Sequence, residues 1–155
     1  MKAALILVVA AVLLRAVAIR LMPFPTPPPA PGPDLTPETV VRTVVEALQH
    51  VNSPRPNSGV FVAYQFASPE NKKVTGPYGT FLVGVKHADF AALMSPGAAE
   101  FGPIQRNGVA ATQNVVVHPS GGSVVRFEFS LRQQRPGGVC PGCWMVDGVA
   151  PLPSR

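Results

Sequence analysis

Cys140-Pro141-Gly142-Cys143 places two thiols three positions apart, a spacing at which cysteines close a short disulfide or share a metal ion. A thioredoxin-like redox site opens a helix, whose N-terminus stabilises the thiolate. Here Pro136-Gly137-Gly138 leads in and a run beginning at Trp144 follows, so the pair sits in a turn between two strands. The roles open to it are a structural turn disulfide or regulatory thiol switch, two reduced thiols with Cys143 partly packed, and catalytic redox. Zinc would need two further donors, and His50, His87 and His118 each stand alone in the sequence. No metal site and no other cofactor is expected.

Acid–base chemistry needs a side chain that reaches its substrate from inside a cavity that tunes its pKa. An enzyme reading would rest on Tyr64, Tyr78, His87, Asp89, or Asp147 on a last strand turned the other way round. None of these forms a recognisable pair at a meaningful spacing, and ordinary structural roles are the expectation for all of them.

The elements that must position these residues begin with a helix. Thr36 is a plausible N-cap, Pro37 suits the first turn, and Val40, Val41, Val44, Val45 and Leu48 recur at the spacing of one helix face. Asn52-Ser53-Pro54-Arg55-Pro56-Asn57 is a dense turn signal that should stop the helix near His50. Val60, Val62, Tyr64 and Phe66 then alternate as a strand would, although their position favours a helix. Ser68-Pro69-Glu70 reads as the start of a polar loop reaching about Tyr78, followed by two short amphipathic helices over residues 80–86 and 89–94.

After Ser95-Pro96-Gly97 the pattern turns β-like. Residues 98–106 form a first run interrupted by Gly102-Pro103, and Asn107-Gly108 is a two-residue hairpin signal leading into 109–118. Residues 124–132 and 144–152 complete about four antiparallel strands. Helices followed by an antiparallel meander predict an α+β domain, with helices N-terminal to the sheet and covering one face of it. Val125, Phe127, Phe129 and Leu131 should face the helices, as should Val109, Ala111, Gln113, Val115 and Val117. On the last strand Trp144 and Val146 share a face, which by period-two parity puts Asp147 on the opposite one with Met145. Arg126, Glu128, Arg132, Met145 and Asp147 are therefore the candidates for a partner-binding outer face. Phe61, Tyr64, Phe66, Phe81, Gln113 and Trp144 are the candidates for lining a ligand cavity.

The 155-residue chain suits one domain, and 14% charged with 46% hydrophobic residues excludes a coiled coil or an acidic disordered tail. Residues 3–14 are an unbroken apolar run preceded by Lys2 and followed by Arg15, with Ala16-Val17-Ala18 beyond, the pattern of an export or targeting leader. Twelve helical residues cover about 18 Å, short of a hydrocarbon core of about 30 Å, so a signal anchor must extend to Met22 and accommodate Arg15 and Arg20. Residues 1–22 are thus a leader or anchor that could be a transmembrane helix, 23–37 a Pro-rich extended spacer, 38–152 the domain, and 153–155 a tail. Without Lys2, Arg15, Arg20 and Asp34, the net charge of +5 falls to +3, and Lys72-Lys73 is the one basic doublet of the domain. Nucleic acid is not an expected partner.

Phe66-Ala67-Ser68-Pro69-Glu70-Asn71, Glu100-Phe101-Gly102-Pro103 and Gly142-Cys143-Trp144-Met145-Val146-Asp147-Gly148-Val149 follow one another in an order that resembles an uncharacterised domain family of plants, algae and bacteria. That family falls in the nuclear transport factor 2-like, cystatin-like superfamily, and the resemblance spans residues 38–152. It implies a helix over 58–67 and a cone-shaped pocket between helices and sheet. It carries no activity or catalytic residue across. The expected function is a non-catalytic accessory or assembly module of a membrane-associated complex, docking through its outer sheet face and held or delivered by residues 3–22. The alternative is a small-ligand-binding protein or enzyme using the helix–sheet cavity. A homodimer is a further option. The plant and algal members favour the chloroplast over a secretory or mitochondrial address.

Overall fold

The structure is a computed structural model that describes residues 27–153. The leader lies outside the described residues. Of the spacer, residues 27–36 are described and form neither helix nor strand. Helix α1 spans Pro37–Gln49, with the Thr36 hydroxyl accepting from the Thr39 N–H at 3.2 Å and Pro37 occupying the first turn. Its valine stripe and Leu48 are buried, as the spacing requires.

The segment whose periodicity was ambiguous is helix α2, Ser58–Phe66. Gly59, Val62, Ala63 and Phe66 fall at helical spacing and all are buried. Close packing against α1 decides the matter: a Cβ on Gly59 would fall onto the Ala47 carbonyl, so the two backbones touch. Only glycine permits that approach.

The polar loop expected from Ser68 to Tyr78 is instead helix α3, Pro69–Thr75. Ser68 caps it by accepting from the Asn71 N–H at 3.1 Å, and Pro69 fills the first turn. Helix α4 (Tyr78–Val85) and a 3₁₀ helix (Ala88–Met94) follow.

Five antiparallel strands make the sheet: β1 Gly97–Phe101, β2 Gln105–Asn107, β3 Ala110–Pro119, β4 Val125–Gln133 and β5 Trp144–Leu152. The order is β1-β3-β4-β5, with β2 beside the other half of β3. The expected first strand is divided in two because Gly102-Pro103 leaves the ladder, Pro103 having no N–H to donate. The break is pinned at Gly102, whose N–H reaches the Asn114 carbonyl at 2.9 Å and whose own carbonyl accepts from Gln113 Nε2 at 2.7 Å. Gly108, at φ 58°, makes the expected β2–β3 turn.

The core lies between the helices and one sheet face. Phe127, Phe129, Val115 and Val117 are fully buried there, Ala111, Gln113 and Leu131 nearly so, and Phe90 stacks on Phe127 at 6.4 Å. Val109 is a correction: it belongs to the hairpin turn and is exposed. Burying each Phe, Val or Leu contributes about 1.5–3 kcal/mol relative to leaving it in water. At Gly59 there is no room even for a methyl group. Gly59→Ala is expected to destabilise the domain by about 3 kcal/mol or more, read as a fall in the urea midpoint at unchanged slope.

Candidate functional site

Between the helices and β5 lies a cavity of about 430 Å³. Helix α1 contributes Val44 and Leu48, and the end of α2 contributes Ala63 and Ala67. Asn71, Val74 and Thr75 come from α3, and Thr80, Phe81, Gly84 and Val85 from α4. Phe90 and Leu93 of the 3₁₀ helix and residues 146–149 of β5 complete the lining. The walls are apolar apart from Asn71, Thr75, Thr80 and Asp147. Asn71 and Thr75 are engaged with the protein itself, whereas Asp147 Oδ1 is buried without a hydrogen-bond partner. Asn71 Nδ2 donates to the Val146 carbonyl at 3.1 Å, and the Thr75 hydroxyl donates to the Asn71 carbonyl at 2.9 Å.

Of the six side chains expected to line a cavity, only Phe81 does so. Phe66 is buried in the core, and Gln113 holds the β1–β2 break described above. Trp144 is buried under the Arg106 guanidinium, 4.9 Å from its ring. Phe61 and Tyr64 instead join Tyr78 and Phe81 in an edge-to-face cluster with centroids 5.2–5.7 Å apart. Asn71, Val74 and Thr75 are lining residues that a polar loop over residues 68–78 does not anticipate. The signal was present, since a capping Ser followed by Pro and Glu is a helix start.

Asp147 is a second correction. Trp144 is core as expected, yet Asp147 lines the cavity. The ladder slips between Ser130 and Leu131, so Leu131 pairs with Val146 while Ser130 pairs with Gly148. Asp147 is the extra residue of this β-bulge, where period-two parity no longer holds. Its Oδ2 accepts from Arg132 Nε at 2.9 Å.

The outer face is also narrower than expected. Met145 is only 2% exposed and offers nothing to a partner. Arg126 and Glu128 are exposed, and Arg132 is engaged with Asp147.

Among the other titratable groups, His87 Nδ1 lies 3.2 Å from Asp89 Oδ2, both well exposed and away from the cavity lining. Tyr78 donates its hydroxyl to the Asn57 carbonyl at 3.4 Å. Cys140 and Cys143 are bridged as a disulfide, with Cα atoms 5.5 Å apart in a turn that Gly142 makes at φ 80°. Among the described residues, no three His, Cys, Asp or Glu side chains stand together as metal ligands, and no helix is long and apolar enough to cross a membrane.

The site is an apolar chamber in an α+β domain with a single carboxylate at its sheet wall. Residues 34–155 match the family described as a domain of unknown function, DUF4864, and the chain belongs to that family. No curated protein and no solved structure matches it.

Lys72 of α3 lies 4.7 Å above the Tyr64 ring, and partial burial pushes its ammonium below the ordinary value of 10.5. The unfolded chain holds that proton to higher pH than the folded chain does. Stability tied to Lys72 therefore rises as pH climbs through the folded value towards 10.5. Urea midpoints across the alkaline range are expected to show a shallower rise in Lys72→Gln than in the parent.

Proposed function

We propose that this chain is a non-catalytic binding protein for a small apolar molecule, which it holds in the helix–sheet cavity of a nuclear transport factor 2-like cone. The observation that carries the reading is the chamber of about 430 Å³ with apolar walls on every contributing helix. That volume falls within the roughly 300–1,000 Å³ of small-molecule sites. Apolar walls release water on filling, and a few fixed polar groups orient the ligand. A proton-transfer enzyme would need a base paired with further polar groups in the cavity; Asp147, whose Oδ2 accepts from Arg132 and whose Oδ1 is buried without a partner, is the single carboxylate in its lining. In this reading the leader and spacer deliver the domain to a membrane or hold it there.

A second reading is the accessory module that docks through the outer sheet face. The exposed Asn114, Glu128 and Arg126, on neighbouring positions of β3 and β4, favour it. Such a mixed-charge face would govern encounter more than affinity.

Gly84 lines the cavity at its exposed rim, and a Cβ there meets no atom within 4 Å, so a side chain can start from this position without a clash. Titration of the full chain with an apolar fluorescent probe is expected to saturate at one probe per chain. Gly84→Phe should weaken the probe by roughly tenfold, a loss of about 1.4 kcal/mol, with the urea midpoint unchanged. Equal binding by parent and variant would refute the cavity as the site.

A further inference from the structure

Helix α4 reads Tyr78-Gly79-Thr80-Phe81-Leu82-Val83-Gly84-Val85, a sequence without a charge, and none of its residues is buried. A helix this apolar is ordinarily covered. Val83 is instead 73% exposed, and Val74 at the end of neighbouring α3 is 88% exposed. Phe61, 44% exposed, packs edge-on against Tyr78 and extends the apolar surface beyond the start of α4. The same region is the rim of the cavity, since Val74, Thr80 and Gly84 are both exposed and lining.

Cations bracket this surface. Lys72 and Lys73 stand on α3, and Lys86 follows the last residue of α4. Two acids lie nearby, Glu70 at 3.8 Å from Lys73 and Asp89 at 3.2 Å from His87, so the three lysines keep a net positive charge over them.

We propose that α4 and the end of α3 form a docking face for an anionic lipid bilayer, on which the rim of the cavity opens. Apolar side chains ringed by lysine suit the boundary between acyl chains and acidic headgroups. Lysines near such a surface are drawn to it, while their stems lie along apolar atoms. A second copy of the chain is the poorer occupant, because a two-fold pairing of this face would bring like-charged lysines together. The inference goes beyond the cavity reading, whose probe titration uses no vesicles and stands or falls separately.

Trp144 is the one native tryptophan and is buried, so a tryptophan placed on the face reports on the face alone. Val83→Trp and Val74→Trp, both at well-exposed positions, are made in the full chain. They are mixed with vesicles of brominated phosphatidylcholine, with or without phosphatidylglycerol. Reading the bromine quenching of each variant above the parent separates docking of this face from tethering elsewhere in the chain. The expected result is a blue shift and quenching with the anionic vesicles only. K72Q/K73Q/K86Q should weaken the vesicle concentration dependence of that quenching by roughly a hundredfold. The proposal is overturned if neither tryptophan is quenched above the parent, or if phosphatidylcholine alone quenches equally. A blue shift that grows with protein concentration in the absence of vesicles would overturn it too, by identifying a second copy as the occupant.

Discussion

The carbonyl of Val146 holds the helical layer to the sheet. It accepts from the Ser68 N–H at 2.9 Å and from Asn71 Nδ2 at 3.1 Å. β5 is the last strand of the sheet, and an edge strand presents unpaired backbone groups that must be paired, covered or left to water. Here the turn between α2 and α3 pairs with the edge, as a parallel bridge between Ala67 and Val146. The same Ser68 that donates its N–H to the strand caps α3 with its hydroxyl, so covering the edge and starting the helix are one event. With α3 fixed beside β5, α4 closes over the space between them, and the cavity is what the core side chains leave unfilled.

The parts of the fold legible in the sequence are those where one strong local signal acts alone. The cap and valine stripe of α1, the Asn107-Gly108 turn and the inward row of β4 are of this kind. Helix α2 is different, because Val60, Val62, Tyr64 and Phe66 satisfy a strand pattern as well as a helical one, and the touch of Gly59 on α1 is a tertiary fact. The sites were harder still. Large aromatics such as Phe66 and Trp144 are the expected lining from type alone, yet both fill the core instead. The chamber is lined by small residues such as Ala63, Ala67, Thr75, Thr80 and Gly84 together with Leu48, Phe81, Phe90 and Leu93. Asp147 was misplaced for another reason, since a strand's alternation is a rule for unbroken ladders and the bulge beside Leu131 breaks this one.

The polar groups around the chamber serve the scaffold before they could serve a ligand. Asn71 holds the edge strand, Thr75 bonds back to Asn71, and Asp147 anchors Arg132. A wall built this way offers shape and apolar surface, with the buried Asp147 Oδ1 as an acceptor to spare. It discriminates by size and apolarity, and weakly between ligands that differ by one methylene, because such a difference is worth only about 1–3 kcal/mol in an apolar pocket.

Val74 and Val83 stand almost wholly in water, where the folded state gains next to nothing from them. Apolar side chains at such positions are a burden on solubility that folding alone never imposes. Whatever these two valines contribute, they contribute at the surface, and Val74 at the cavity rim, rather than in the packed core.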